Sequence, residues 1–144
     1  MPTEGRTLVD MLERASESTE TGIRMLDRLD DADFYPYPEV WRRALEVCGG
    51  LQQMGVKPGD RGALVYPTCV GFFDAFFGVL LAGAVPVPLY PPVRLGRLAE
   101  YDDRTAAMLR AVEARMVLAD RRVRRLLGPA IEASGPALGC QTTD

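Results

Sequence analysis

The chain has 144 residues, of which 47% are hydrophobic and 26% charged, and its net charge is −3. These proportions are typical of one soluble globular domain, and the negative charge argues against a general nucleic-acid-binding protein. The sequence contains no histidine, which excludes a histidine-based triad, a proton shuttle and histidine metal ligands. Cys48, Cys69 and Cys140 form no CxxC pair, so we expect no metal site and reduced thiols in a cytoplasmic protein.

The first part of the chain predicts a helix, a β-hairpin and a second helix. Residues 8–17 place their apolar side chains on one face of a short helix. Two segments, 22–26 and 34–35, flank an Asp-rich turn and favour a hairpin. The second helix is expected to begin near Pro38, which suits a first helical turn, and to end at Gly55.

From residue 60 onward, short apolar strands alternate with helices. The predicted elements are, in order, strand 63–66, helix 70–83, strand 85–89, helix 95–114, strand 116–119, helix 121–127 and a final strand within 137–142. This alternation predicts an α/β fold, with a parallel βαβαβ sheet and helices on both faces. Pro86 and Pro88 remove ladder donors, so their strand should be an edge or pair on one side only. We expect one domain, in which residues 7–54 precede a βαβαβ core over residues 60–142.

Residues 75–93 carry no charge, but we do not expect them to span a membrane. Four prolines, at positions 86, 88, 91 and 92, would break a helix there. The proline-free part, residues 75–85, would form about 16 Å of helix against a hydrocarbon core of about 30 Å. The pattern therefore predicts a buried helix that leads into a buried strand.

The sequence lacks the motifs of the common catalytic and phosphate-binding loops. There is no GxxxxGK[ST], no GxGxxG and no GxSxG. Asp30, Asp31 and Asp33 do not have the spacing of a calcium-binding loop and predict a solvated turn. We therefore identify no catalytic, cofactor-binding or metal-binding residue from these patterns.

The densest basic cluster lies within residues 121–125, which contain four arginines. A nucleic-acid-binding protein would use such a cluster to neutralise phosphates, but no aromatic residues are interleaved with it. Val123 and the leucines that follow give the segment a buried side. We expect a solvated helix face, or a contact with another domain or an anionic partner.

Four phenylalanines, at positions 72, 73, 76 and 77, lie close together on the helix predicted over 70–83. They could pack against the sheet as core, or they could form the wall of a pocket for a long acyl chain; the spacing allows both. Residues 89–94, LYPPVR, then leave a strand through two consecutive prolines, which makes a stiff connection.

Two segments resemble a known family. Residues 55–65, GVKPGDRGALV, resemble a segment shared by adenylate-forming enzymes: acyl-CoA synthetases, peptide-synthetase adenylation domains and luciferases. Residues 72–92, together with Arg94 and the stretch from Arg97, are similar to the fatty-acyl-AMP ligase branch. Ordinary acyl-CoA synthetases usually read PLNP where this chain reads PLYPP. The resemblance covers nearly the whole chain from Thr7 onward.

The resemblance implies an activity, cofactors and partners. Such ligases use ATP with Mg²⁺ to convert a fatty acid to an acyl-adenylate, and they release pyrophosphate. They commonly pass the acyl group to the phosphopantetheine of a carrier protein in polyketide or lipopeptide synthesis. The candidate residues for the substrate pocket are Phe72, Phe73, Phe76, Phe77, Tyr90, Pro92 and Arg94.

The chain departs from the family because its catalytic motifs are missing. The Ser/Thr/Gly-rich phosphate loop, the aromatic-Gly-Glu segment, the ribose-binding aspartate and the catalytic lysine are absent; Lys57, the one lysine, lies in a turn. We therefore expect the first part of a ligase, inactive alone, with an open sheet edge through which it self-associates. The alternatives are an acyl-CoA synthetase, a non-catalytic binding module of the same fold and, least favoured, a nucleic-acid-binding module.

Overall fold

The computed structural model describes residues 7–93 and 95–143. The helices are α1 (Leu8–Ala15), α2 (Tyr37–Gln53), α3 (Val70–Leu81), α4 (Leu98–Ala111), α5 (Arg121–Arg124) and α6 (Gly128–Ser134). The strands are β1 (Gly22–Leu26), β2 (Ala32–Pro36), β3 (Arg61–Val65), β4 (Val85–Leu89), β5 (Met116–Ala119) and β6 (Cys140–Gln141). A 3-10 turn, Leu95–Arg97, precedes α4.

The N-terminal elements form as the sequence predicts. Thr7 caps α1 in a capping box, in which its hydroxyl accepts a hydrogen bond from the Asp10 amide (3.1 Å) while the Asp10 carboxylate accepts one from the Thr7 amide (3.0 Å). Strands β1 and β2 pair in antiparallel fashion as the predicted hairpin. Pro38 lies in the first turn of α2, where its missing amide proton costs no helical hydrogen bond.

The four remaining strands form one parallel sheet in the order β4-β3-β5-β6. The predicted α/β class and the parallel βαβαβ arrangement are therefore confirmed. The chain passes from β3 to β4 on one side of β3 and then to β5 on the other. This change of direction creates a topological switch point between β3 and β5, where ligands of α/β proteins bind beyond the carboxyl ends of the strands.

Strand β4 is an edge of the described sheet, as its prolines predict. The amide of Val85 faces β3 and donates a hydrogen bond to the carbonyl of Asp60, the residue before β3 (2.8 Å). Because successive residues of a strand face opposite sides, the nitrogens of Pro86 and Pro88 face away from β3. The outer side of β4 consequently lacks these two donors, which protects it against the addition of another strand.

The C-terminal part differs from the expectation in two details. The helix predicted over 121–127 is only the short helix α5, and a further helix, α6, follows it. Pro129 lies in the first turn of α6, a position for which proline is well suited. The final strand is limited to β6, shorter than the 137–142 segment that was expected to contain it.

The sheet has two buried faces. Face one consists of Leu64, Tyr66, Met116 and Leu118 packed against α2 and α3. Face two consists of Ala63, Val65, Val117 and Ala119 packed against side chains of α4 to α6 and the segment between α5 and α6. The alternation of faces along β3 and β5 follows from the two-residue repeat of a strand. Within the described residues, no helix combines the length and the apolar character needed to cross a bilayer.

Candidate ligand clefts at the carboxyl end of the sheet

The segment that leads from β3 into α3 lies between two clefts. Tyr66 and Cys69 contribute to the walls of both. One cleft lies beside the ends of β3 and β4 and is apolar; the other lies beside the ends of β3, β5 and β6 and is polar. Both are therefore at the edge of the sheet where α/β proteins bind ligands, and the polar cleft is at the switch point.

The apolar cleft has a volume of about 630 Å³, and none of the described residues in its wall is charged. It is lined by Tyr66, Pro67, Thr68, Cys69, Phe72, Phe73, Pro88, Leu89, Tyr90, Pro91 and Val93. One wall is the first turn of α3 and the other is the segment that follows β4. A wall of this composition suits hydrocarbon, and its described residues offer no cation to a phosphate group.

Ring packing and a hydrogen bond hold the walls of the apolar cleft. The rings of Phe72 and Phe73 meet edge to face at 5.5 Å, and Phe72 stacks on Phe76 at 5.8 Å. The hydroxyl of Tyr101 donates to the carbonyl of Tyr90 (2.7 Å), which ties the proline segment to α4. Burial raises the pKa of Tyr101, so this hydroxyl keeps its donor proton at neutral pH. The Tyr90 side chain is 86% exposed and stands at the mouth of the cleft.

The candidate pocket residues do not all lie in one cleft. It brings Phe72, Phe73 and Tyr90 together in the wall of the apolar cleft. Phe76 is not in that wall; like Phe72 it packs against the core of face one, and Phe77 contacts the edge of the Phe76 ring at 5.5 Å. Pro92 is half-buried beside Pro91 and is not part of the cleft wall. Arg94 lies outside the described residues.

The polar cleft has a volume of about 670 Å³. Its wall combines one side of α2, the start of α3 and the residues that follow β3, β5 and β6: Arg42, Arg43, Glu46, Val47, Gly50, Leu51, Met54, Tyr66, Cys69, Val70, Gly71, Asp74, Leu118, Asp120, Gln141, Thr142 and Thr143. The Tyr66 hydroxyl and the Thr143 hydroxyl form a hydrogen bond of 3.1 Å across the strand ends. This contact fixes the position of Tyr66 between the two clefts.

An ion pair between α2 and α3 dominates the polar cleft. The Arg43 guanidinium donates from Nε to both oxygens of Asp74 (3.0 Å each) and from Nη2 to Oδ2 (2.6 Å). Asp74 is only 4% exposed, and hydrogen bonding to Asp74 raises the pKa of Arg43. The Arg43 guanidinium also lies 5.7 Å from the centre of the Tyr35 ring, which connects the hairpin to both helices. The ion pair between Arg43 and Asp74 therefore joins α2 to α3.

The other reactive groups of the clefts are also engaged. Asp120 accepts a hydrogen bond from the Arg122 amide (2.9 Å) and caps α5. Desolvation raises the pKa of the Cys69 thiol, although the Phe72 and Gly71 amides offset part of this effect, so at neutral pH the thiol is protonated. Among the described residues, no three Cys, Asp or Glu side chains lie close enough together to hold a metal ion.

Most cleft residues were not singled out from the sequence, and Arg43, Cys69 and Asp74 are the ones whose chemistry matters most. Cys69 follows a buried strand and begins a helix, and the rule that ligands bind beyond the carboxyl ends of strands would have indicated it. Arg43 and Asp74 lie 31 positions apart, and no local pattern links them.

Comparisons with known proteins agree with this architecture. The profile of the AMP-binding enzyme family matches residues 12–142. The long-chain-fatty-acid–AMP ligase FadD26 of Mycobacterium marinum is 34% identical over 116 residues, which cover 76% of this chain and 19% of the ligase. Pyochelin synthetase PchE of Pseudomonas aeruginosa is 37% identical over 102 residues, which cover 68% of this chain and 7% of the synthetase.

A solved structure shows the same fold. It comes from a study of fatty acyl-adenylate ligases of E. coli and L. pneumophila, and it superposes with a TM-score of 0.88 at 28% identity over 95% of this chain and 24% of that one. The chain thus spans only about a fifth of the length of the FadD26 ligase and a smaller share of the synthetase. The resemblance drawn from residues 55–65 and 72–92 is confirmed, and the chain belongs to the AMP-binding enzyme family of adenylate-forming ligases.

Proposed function

We propose that the chain is the N-terminal part of the large AMP-binding domain of a cytoplasmic ligase that activates a fatty acid as its acyl-adenylate. The observation that carries this proposal is the apolar cleft, in whose wall the eleven described residues carry no charge. Its volume of about 630 Å³ falls within the range of small-molecule sites. Each methylene group buried there would contribute roughly 0.8 kcal/mol of binding free energy.

The clefts suit the two ends of such a substrate differently. An acyl chain fits the uncharged wall of Phe72, Phe73 and Tyr90, whereas the polar cleft offers hydroxyl and amide groups at the end of β6. ATP and Mg²⁺ would be held by the rest of the ligase, since Lys57 is the one lysine and lies exposed in the turn before β3. We therefore expect this chain alone to bind fatty acid and to form no acyl-adenylate. Pyrophosphate release by the chain with ATP and fatty acid would contradict this expectation.

Titration of the 144-residue chain with saturated fatty acids of increasing length tests the apolar cleft. We expect affinity to rise roughly fourfold for each added methylene, until the cleft is filled. Tyr90→Ser should weaken binding, because it removes an exposed ring at the mouth of the cleft. Leu29→Ser is the matched control, since Leu29 is also an exposed apolar residue but lies in the hairpin turn. Equal affinities for all chain lengths, or equal effects of the two variants, would refute a role for this cleft.

The acceptor of the acyl group separates the proposal from its closest alternative. We propose a carrier protein as the acceptor, because residues 88–92 read PLYPP and the fatty-acid–AMP ligase FadD26 is similar over most of the chain. An ordinary acyl-CoA synthetase would use coenzyme A instead. In the complete ligase, transfer of labelled acyl groups to a carrier protein in competition with coenzyme A measures the preference. Faster transfer to coenzyme A would favour the alternative.

We also propose that the isolated chain self-associates through β6. The outer side of β4 lacks two donors at Pro86 and Pro88, whereas Cys140 and Gln141 of β6 pair only with β5 among the described strands. An unpaired strand edge favours pairing with another chain. Light scattering at increasing protein concentration should show a dimer, and Cys140→Pro should reduce the association. A monomer at all concentrations would contradict the proposal.

A further inference from the structure

One hydrogen bond holds the backbone of one wall of the apolar cleft. We call residues 90–93 the proline wall; it begins where β4 and its pairing with β3 end, at Leu89. Its two prolines have no amide hydrogen, and among the described residues its backbone makes no hydrogen bond to another backbone group. The hydrogen bond that it does make comes from a side chain, because the hydroxyl of Tyr101 donates to the carbonyl of Tyr90 at 2.7 Å.

The donor of this hydrogen bond is anchored in the core. Tyr101 lies on α4 and packs against the core of face two. Thr105 and Leu109 follow it on the same side of the helix, one and two turns later, and are only 1% and 2% exposed. The hydrogen bond therefore ties the proline wall to a helix whose own position the core determines.

The proline wall transmits this contact along its length. Proline fixes its φ angle near −65° and also restricts the backbone of the residue before it. Consecutive prolines therefore leave few soft torsions between Tyr90 and Val93, and the wall moves as a stiff unit. A contact at Tyr90 consequently sets how far Val93 lies from the opposite wall, to which Phe72 and Phe73 belong.

The distance between the two walls decides how well such a cleft discriminates between hydrocarbons. Contacts in an apolar cleft are not directional, so selectivity depends on how closely the walls approach the ligand. A gap of about 0.5–1 Å already forfeits roughly a quarter to a half of the attraction between two facing atoms. If one wall can move, each added methylene gains less contact, and affinity depends less steeply on chain length.

We propose that Tyr101 is a positioning residue that determines the acyl-chain selectivity of the apolar cleft. The inference rests on the proposed function, which supplies the acyl chain as the ligand. Tyr101 is not among the described residues that line the cleft, so its hydroxyl acts through the carbonyl of Tyr90 and not by contact with the ligand. Its loss should therefore change the selectivity of the cleft more than the stability of the chain.

The test compares Tyr101→Phe with Tyr37→Phe in the 144-residue chain. Each variant removes one hydroxyl from a half-buried tyrosine, but Tyr37 lies at the start of α2 and is not among the described residues of either cleft. Below the length that fills the cleft, two fatty acids that differ by two methylenes should differ about fifteenfold in affinity for the unaltered chain and for Tyr37→Phe. For Tyr101→Phe we expect this difference to fall to about fourfold.

A further variant and a second measurement separate positioning from a general loss of stability. Arg110→Gln removes a different hydrogen bond of α4, to the carbonyl of Ala133, and should lower the urea midpoint without changing the selectivity. In the absence of ligand, ¹⁵N relaxation of the Val93 amide reports the mobility of the proline wall. Its order parameter should fall in Tyr101→Phe and remain unchanged in Tyr37→Phe and Arg110→Gln.

The outcomes separate this inference from the proposed function. Equal selectivity in Tyr101→Phe and Tyr37→Phe, or equal mobility of Val93 in both, would overturn the role of Tyr101 alone. The same loss of selectivity in Arg110→Gln would also overturn it, because any loosening of α4 would then suffice. If the unaltered chain itself binds fatty acids of all lengths equally, the proposed function fails and this inference fails with it.

Discussion

The helices on the two faces of the sheet are held in different ways. On face one, Arg43 and Asp74 join α2 to α3 through a largely buried ion pair, and Gly78 lets the two helices approach closely. On face two, an exposed hydrogen bond from Arg110 to the Ala133 carbonyl (3.1 Å) joins α4 to α6, and α5 and α6 have only four and seven residues. Face one therefore provides fixed walls for both clefts, whereas face two can adjust to a local change.

The largest expected effect tests whether face one is indeed the more rigid. Leu64→Ala on face one and Leu127→Ala on face two remove the same atoms from fully buried positions. We expect about 4 kcal/mol of lost unfolding free energy for Leu64→Ala and about 2–3 kcal/mol for Leu127→Ala, because a cavity costs less where neighbours can collapse into it. Urea denaturation measures both values. Equal losses would show that the faces do not differ in rigidity.

The next effect concerns the ion pair that holds α2 to α3. Asp74→Asn leaves Arg43 without its main partner, and we expect the free energy of unfolding to fall by about 2 kcal/mol. This value is below that of a fully buried pair, because Arg43 is partly exposed and Glu39 lies 3.9 Å from it. Glu46→Gln is the control on the same pair of helices. It removes the solvent-exposed pair with Arg42 and should cost less than about 0.5 kcal/mol.

Denaturation midpoints of the two variants decide whether the buried pair matters. A similar, small change in both would mean that the Arg43–Asp74 pair contributes no more than a surface contact. The apolar cleft gives a second readout, because Phe72 and Phe73 of its wall lie on α3 directly before Asp74. Fatty-acid binding should weaken in Asp74→Asn and not in Glu46→Gln if the pair positions that wall.

The fold was largely predictable because local patterns determine it. Continuous apolar runs indicated β3 and β5, and the prolines of β4 indicated an edge. Helix α6 was not predicted, because a Gly-Pro pair such as Gly128-Pro129 can follow the end of one helix or lie in the first turn of a new one. The sequence offers no local signal that separates these two uses.

The clefts were predictable only in part. Phe72, Phe73 and Tyr90 stood out because four phenylalanines and two prolines in short segments are unusual, and all three line the apolar cleft. The same reasoning also selected Phe76, which packs in the core of face one, because spacing along a helix does not reveal what the helix packs against. The contacts of Asp74 depend on how α2 and α3 meet, and this requires the tertiary structure.

A smaller effect distinguishes two glycines that both lie on face-one helices. A Cβ atom at Gly78 would lie 2.5 Å from Cγ1 of Val47, whereas a Cβ at Gly50 would meet nothing within 4 Å. Gly78→Ala should destabilise the chain by about 1 kcal/mol, because the free-energy cost of the clash with Val47 exceeds the gain from replacing a glycine in a helix. Gly50→Ala should stabilise it by about 0.5–1 kcal/mol. The sign of each change in the urea midpoint checks the close approach of α2 and α3.

The smallest expected effect is a loss of stability at alkaline pH. Burial raises the pKa of Cys48, Cys69 and Cys140 above the ordinary thiol value of about 9. At a pH between the ordinary and the raised pKa, the folded chain keeps thiol protons that the unfolded chain releases. The thiols therefore contribute their full stabilisation below about pH 9, and the free energy of unfolding falls above it. The slope is at most about 1.4 kcal/mol per pH unit for each thiol. No histidine titrates near neutrality, so stability should be flat between about pH 6 and 8.

Urea denaturation under reducing conditions, from neutral to alkaline pH, measures this decline. Cys69→Ser and Cys140→Ser should each make it shallower, and a decline that neither variant changes would contradict the assignment to these thiols. Tyr101→Phe is the necessary companion variant, because burial also raises the pKa of Tyr101 above its ordinary value of about 10. The two thiols also test the comparison of faces, because Cys69 lies against the core of face one and Cys140 against that of face two. If face two adjusts more readily, it can admit water around the ionised Cys140, and Cys140→Ser should then change the decline less than Cys69→Ser.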